Sequence, residues 1–107
     1  MSLTGVIMMV AIAPNWADVE GRVAAVASAD ERPGFVRVGF DLTAAREVAG
    51  FITMVKPEDS SIEIFFPEDL ARELGLAPGQ RYALRVRRGG PEKLFFIHRE
   101  EVRRLDP

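Results

Sequence analysis

The chain has 107 residues, of which 48% are hydrophobic and 28% are charged, and its formal net charge is −2. Such a length and composition predict one globular domain over 1–107, large enough to bury about two-thirds of the surface exposed when unfolded. Cysteine is absent and there is a single histidine, which excludes disulfides, thiolate catalysis and the common zinc ligand sets. We therefore expect a cytoplasmic protein that has no cofactor, no metal and no catalytic residue.

The most apolar stretch of the sequence covers residues 6–13. It is far shorter than the ~20 residues of a membrane-spanning helix, and it lacks the basic start of a secretory signal, so no membrane association is expected. Its continuous apolarity favours a strand buried on both faces or one lodged in a partner. Residues 1–5 are interpreted as disordered or vector-derived.

Strand patterns dominate the first two-thirds of the chain. Residues 19–28 fit a strand or a helix, and Gly21 together with the following strand favours a strand. A turn over 30–34 is predicted from Pro33 and Gly34. After it, apolar and polar residues alternate over 36–42 as in a half-buried strand. Two further strands are predicted over 51–56 and 62–66, joined by a hairpin connection.

Two segments 26 positions apart resemble each other. Residues 36–40 lead to the run Ala-Arg-Glu-Val at 45–48, and residues 62–66 lead to Ala-Arg-Glu-Leu at 71–74. This echo predicts a duplicated strand-helix-strand unit. A loop with one helical turn is the alternative for the first copy.

The second copy carries the strongest helix signals. Pro67 suits the first helical position, acidic residues follow it, and Gly75 can take the left-handed conformation that ends a helix. A turn over 77–80 then leads to a strand that has Tyr82, Leu84 and Val86 facing inward. A further strand is predicted over 94–97 and a short helix over 99–105.

Residues 62–97 resemble the AbrB-type transition-state regulators and antitoxins, through Ile62-Glu63-Ile64, Pro67, Leu74-Gly75-Leu76 and Pro78-Gly79. That resemblance implies a swapped-hairpin dimer on DNA, although Gln80 stands where the family usually has Asp. A similar phrase occurs in oxyanion-binding TOBE domains. Because AbrB-type domains resemble cradle-loop barrels, we expect a mainly β, cradle-loop-like barrel of about six strands, possibly built from the two repeats. The alternative is a five-stranded OB-like barrel, from three strands, a helix and two strands.

Three classes of function follow from these patterns. The first is a non-catalytic binding or assembly module that self-associates as a homodimer or binds another protein, with Trp16, Phe65 and Phe95 at the interface. The second is nucleic-acid binding by a basic strand, whose alternative interpretation is a charged guard on a sheet edge; its residues are Arg81, Arg85, Arg87, Arg88 and Lys93. Small-anion binding, as in TOBE domains, is a further alternative. The third class, an enzyme, is not expected, because His98 ends an apolar strand and is interpreted as structural.

Overall fold

The computed structural model describes residues 15–56, 58–89 and 94–106. These ranges contain five strands and one helix in the order β-β-β-α-β-β. The elements are β1 (Ala17–Ser28), β2 (Phe35–Glu47), β3 (Ser61–Pro67), α1 (Glu68–Leu74), β4 (Arg81–Gly89) and β5 (Leu94–Arg104). Residues 1–5, the apolar run over 6–13 and Lys93 lie outside the described residues.

The five strands form a closed ring in the order β1-β2-β3-β5-β4, and β1 closes it by pairing with β4. Neighbouring strands are antiparallel except β3 and β5, which pair in parallel over three positions. The expectation of a mainly β, small barrel is therefore confirmed. Five strands with the helix between the third and fourth match the OB-like alternative rather than a barrel of six strands.

The barrel is filled by the apolar face of each strand. Side chains alternate between the two faces of a strand, so the residues at every second position point to the ring interior. The buried cluster includes Val19 and Val23 of β1, Val38 and Phe40 of β2, Ile62, Ile64 and Phe66 of β3, Tyr82, Leu84 and Val86 of β4, and Phe95 of β5. The inward set predicted for β4 is confirmed.

Strand β1 lies between β2 and β4 in the ring. It pairs with β2 along its whole length and with β4 over its first half. Its register to β2 shifts at Glu20/Gly21 and again at Val23/Ala25. At Gly21 the neighbouring backbone is so close that an added Cβ would lie 2.1 Å from the carbonyl oxygen of Asp41. A glycine is therefore required at this crossing.

Helix α1 ends as the sequence predicts and begins one residue later, since Pro67 is its N-cap rather than its first helical residue. Pro67 precedes it, Leu70 is its buried residue, and Gly75 adopts the left-handed conformation, with φ of 60°. The amide of Leu76 donates to the carbonyl of Ala71 at 3.1 Å, which is the hydrogen bond of a Schellman cap. The turn over 77–80 is also present, with Gly79 at positive φ.

Three predicted elements are wrong. Residues 41–47 belong to β2, so the Ala-Arg-Glu run of the first repeat is strand, not helix, and the two repeats differ in structure. Within 51–56 only Ile52 makes a strand-like bridge, to Asn15. Residues 99–104 extend β5 rather than forming a helix, because they pair with the first half of β4. For 41–47 and for the second half of β5, pairing with a strand distant in sequence decides the local structure.

Among the helices that the described ranges contain, none has the length and apolarity required to cross a bilayer.

Candidate binding face

Aromatic and arginine side chains converge on the outer face of the sheet formed by β2, β3 and β5. The neighbours of these side chains along each strand face the core, so alternation turns Phe35 and Arg37 of β2, Phe65 of β3 and Phe96 of β5 outward. Arg32 from the β1–β2 turn and Arg87 of β4 join them. We call this set the arginine–phenylalanine patch, and it consists of Arg32, Phe35, Arg37, Phe65, Arg87 and Phe96.

The three phenylalanine rings of the patch touch one another. The parallel register of β3 and β5 sets Phe65 opposite Phe96, and their ring centroids are 5.5 Å apart. Phe35 meets both rings edge-on, at 6.3 Å from Phe65 and 6.4 Å from Phe96. Phe65 is only 1% exposed although it lies outside the core cluster, so the patch is a second, smaller packed layer on the outside of the barrel.

Guanidinium groups cover these rings. The central carbon of the Arg32 guanidinium lies 5.3 Å from the ring centroid of Phe65 and 4.9 Å from that of Phe96. Arg87 lies 5.5 Å from Phe96, and Arg37 lies 6.0 Å from Phe65. A planar cation over an aromatic face is favourable and leaves the outer side of the guanidinium accessible.

The charges of the patch are only partly neutralised. Arg37 forms ion pairs with Glu31 and with Glu63, the latter at 3.7 Å. Neither Arg32 nor Arg87 has an ion pair within residues 15–56, 58–89 and 94–106, and both side chains are exposed. The patch therefore presents the planar guanidinium groups of Arg32 and Arg87 as two cations, whereas the charge of Arg37 is neutralised.

The residues of the predicted basic strand have different environments in the structure. Arg85 points outward as expected, but it donates two hydrogen bonds to the Asp18 carboxylate, at 2.8 and 3.1 Å. The same hydrogen bonds lower the pKa of Asp18 and raise that of Arg85. The backbone of Arg88 is held at both its amide and its carbonyl by Asn15, and that of Arg81 donates to Asp106 at 3.3 Å. Of the predicted basic residues that the structure describes, Arg87 alone joins the patch.

The three predicted interface residues have different environments. Trp16 is half-buried, and its ring lies 5.0 Å from that of His98. Phe65 belongs to the patch. Phe95 is 4% exposed and lies in the core cluster, so its side chain faces the barrel interior rather than an interface; it is Phe96, one position on, that points outward.

His98 accepts a hydrogen bond at Nδ1 from the amide of Glu100, at 3.3 Å. The part of the chain that the structure describes contains no group of three or more His, Cys, Asp or Glu side chains able to hold a metal ion.

A cavity of about 410 Å³ is lined by residues of β2, of β3 and of the segment that joins them, together with Ala24, Arg88 and Phe95, and by no residue of the patch. Phe40, Ile62 and Met54 supply its apolar wall. Its charged lining consists of Asp41, Lys56, Asp59, Glu63 and Arg88. With three carboxylates against two cations, this cavity does not select for an anion.

Most of the patch was missed by the sequence interpretation. Arg32, Phe35 and Arg37 were not selected, since a Phe-x-Arg alternation next to a turn is an ordinary strand start. The available signal was that Phe35 and Arg37 alternate with the inward Val36 and Val38, which places both on the outer face. The convergence with Phe96 depends on the parallel pairing of β3 with β5, which no local pattern indicates.

No protein-family model matches the chain, and a search of the curated proteins finds no match. The AbrB-type resemblance of residues 62–97 therefore stays a prediction.

Proposed function

We propose that this protein is a non-catalytic binding module that binds single-stranded nucleic acid on the arginine–phenylalanine patch. The observation that carries the proposal is the stack of Arg32 over Phe65 and Phe96, flanked by Arg37 and Arg87. Phe65 is itself buried beneath the guanidinium groups, so unpaired bases would stack on the outer guanidinium planes. Exposed guanidinium groups also bind the adjacent phosphates.

The position of the patch supports the same ligand. It lies on the outer face of β2 and β3, next to the turn between β1 and β2. In five-stranded barrels of the OB type, this face and this loop bind oligonucleotides. A duplex would present its bases edge-on inside a groove, so the stacked planes of the patch favour a single strand over the double-stranded DNA that an AbrB-type domain implies.

The charge of the patch sets the expected salt dependence. Within the patch, Arg32 and Arg87 have no ion pair with a described carboxylate, so about two phosphates should be neutralised. The plot of log affinity against log salt should then have a slope of about −1.4, because each phosphate on a single strand contributes about −0.7. Affinity in this range arises mainly from stacking, which salt screens little.

The test is fluorescence anisotropy of a labelled oligothymidylate of about 16 nucleotides, the upper site size of such a barrel. Arg32→Ala and Arg87→Ala should each weaken binding by about fivefold or more, roughly one lost stacking or phosphate contact. Arg103→Ala is the matched control, since Arg103 is exposed near the end of β5, paired with Ala83 of β4 and away from the patch.

A gain of affinity is also expected. Glu31→Gln removes one of the two carboxylates that pair with Arg37 and leaves only Glu63, at 3.7 Å, so binding should become tighter and the salt slope steeper. The proposal fails if the protein shows no salt-sensitive binding at low ionic strength, or if Arg103→Ala weakens binding as much as Arg32→Ala.

One observation favours a second candidate, binding of a protein partner. The segment after β2 exposes Phe51 (41%), Ile52 (60%) and Met54 (36%), and neighbouring exposed apolar side chains mark interaction surfaces. If this segment is the functional surface, a double Phe51→Ser, Ile52→Ser variant should lose a protein partner that the Arg32→Ala variant retains.

A further inference from the structure

The cavity lined by β2, β3 and their connection continues the outer face that carries the arginine–phenylalanine patch. Phe40 and Ile62 of its wall belong to the core, so alternation turns Gly39, Asp41 and Glu63 of its lining outward. Gly39 and Glu63 are the next outward positions after the patch residues of the same two strands. Successive outward positions are about 7 Å apart, so a strand that lies on the patch reaches the cavity within one such step.

The floor of the cavity is open between two carboxylates. The register of β2 and β3 sets Gly39 opposite Glu63 and Asp41 opposite Ser61, so the two carboxylates stand at diagonal positions, about 7 to 8 Å apart at the backbone. Gly39 has no side chain at its corner, and an added Cβ would find its nearest neighbour at 3.8 Å. A planar ring can therefore lie against the backbone of β2 between Asp41 and Glu63.

Two charged groups of the cavity have no ionic partner. Asp41 and Lys56 are exposed, and neither forms an ion pair with any other described residue. In contrast, Glu63 pairs with Arg37 at 3.7 Å. Asp59 Oδ2 accepts a hydrogen bond from the Lys56 amide at 3.0 Å, which fixes the backbone of Lys56 at the turn. The cavity thus combines a carboxylate with two accepting oxygens, an ammonium donor and an apolar wall.

We infer that this cavity takes a guanine base of the bound single strand, an inference that rests on the proposed function. The Watson–Crick edge of guanine carries two adjacent donors, at N1 and N2, which match the two oxygens of the Asp41 carboxylate. The neighbouring O6 accepts from the Lys56 ammonium. On the same edge, the other bases place an acceptor next to their donor, and a carboxylate repels an acceptor. The volume of about 410 Å³ lies within the roughly 300 to 1,000 Å³ of ligand pockets.

The test is fluorescence anisotropy with the labelled oligothymidylate of about 16 nucleotides, either unchanged or with one central guanine, adenine, cytosine or hypoxanthine. The guanine strand should bind about tenfold tighter than oligothymidylate, the discrimination of one good bidentate contact. Hypoxanthine keeps N1–H and O6 but lacks the N2 amino group, so it should lose most of that gain. Adenine and cytosine should give no gain.

A variant assigns the preference to Asp41. Asp41→Asn should abolish the guanine preference, because the amide replaces one accepting oxygen by a donor, and it should not weaken the binding of oligothymidylate. Glu47→Gln is the matched control, since it removes an exposed carboxylate of the same strand that does not line the cavity. That variant should keep the preference. Circular dichroism checks that both variants keep their fold.

The outcomes separate this inference from the proposed function. If all strands bind equally well and binding still requires Arg32, the guanine site is wrong and the patch stands. If no strand binds, guanosine monophosphate is titrated against the labelled protein, with thymidine monophosphate as control. Amide shifts at Gly39, Asp41 and Glu63 with the guanosine nucleotide alone would keep guanine as the ligand and overturn the strand as its source. No shifts with either nucleotide would overturn both proposals.

Discussion

Gly21 and Gly39 differ in how much room the surrounding structure leaves for a side chain. A Cβ at Gly21 would lie 2.1 Å from the backbone oxygen of Asp41, while one at Gly39 would have its nearest neighbour at 3.8 Å. Gly21→Ala should lower the free energy of unfolding by about 2 to 3 kcal/mol, because a backbone atom cannot turn aside as a side chain can. Gly39→Ala should change it by less than about 0.5 kcal/mol. Urea unfolding of both variants is the measurement, and equal losses would contradict the close crossing of β1 and β2.

The Asp18–Arg85 pair should make stability depend on acid pH. The hydrogen bonds from Arg85 hold the pKa of the Asp18 carboxyl below its ordinary value of 3.8. A lowered pKa in the folded state stabilises the protein above the ordinary pKa, and the stabilisation is lost as pH falls through the folded value. Asp18→Asn should therefore reduce stability by about 0.5 kcal/mol at neutral pH, a small figure because both side chains are partly exposed to solvent.

Urea unfolding of the natural chain and of Asp18→Asn across the acid range checks this expectation. The difference between the two should be constant above about pH 5 and should shrink toward zero below about pH 3. Added salt should reduce it. A difference that grows on acidification would contradict the assigned pairing.

At the scale of elements, the connection from α1 to β4 depends on one side chain. Gln80 Oε1 accepts hydrogen bonds from the Ala77 amide at 3.0 Å and the Tyr82 hydroxyl at 3.1 Å, and its Nε2 donates to the Gly75 carbonyl at 2.9 Å. Tyr82 is 1% exposed, so its hydroxyl depends on that acceptor. Gln80 thus fixes the end of the helix to the start of the strand.

Gln80→Ala should destabilise the protein by about 1 to 2 kcal/mol, because it leaves a buried hydroxyl without a partner. In a Tyr82→Phe background the same change should cost about 1 kcal/mol less, since that hydroxyl is already gone. A double-mutant cycle by thermal or urea unfolding measures this coupling. Additive effects of the two changes would show that the hydrogen bond contributes nothing.

Elements whose signals are local could be predicted from the sequence. Pro67, Gly75 and the turn after it determine α1 wherever it lies in the fold, and the alternation of β2 and β4 determines which of their faces is buried. The second half of β5 was predicted as a helix because its apolar residues also fit helical spacing. Pairing of Tyr82 with Arg104 decides for strand, and that partner is distant in sequence.

The candidate site could be predicted only in part for the same reason. Arg87 and Phe65 were selected from their strands, but their relation to Arg32 and Phe96 arises from ring closure. Phe95 was preferred over Phe96 because the sequence did not establish which face of β5 points inward. A one-residue difference in strand parity exchanges core and surface.

At the scale of the whole molecule, the barrel has an apolar interior and a second aromatic layer outside it. The three parallel pairs between β3 and β5 join the two halves of the ring, and they also bring Phe65 and Phe96 together beneath Arg32. The pairing of β3 with β5 is therefore needed both for the ring and for the patch. Nucleic-acid binding should accordingly raise the melting temperature of the protein, because a ligand that binds only the closed ring stabilises it.

The most direct measurement is a titration of the isotope-labelled protein with single-stranded oligonucleotide, followed by the backbone amide resonances. We expect the largest shifts at the six residues of the patch, Arg32, Phe35, Arg37, Phe65, Arg87 and Phe96. Residues 99–104, in the second half of β5, should change little. Shifts concentrated at 51–54, or no shifts at all at low salt, would contradict the assignment of the arginine–phenylalanine patch as the binding face.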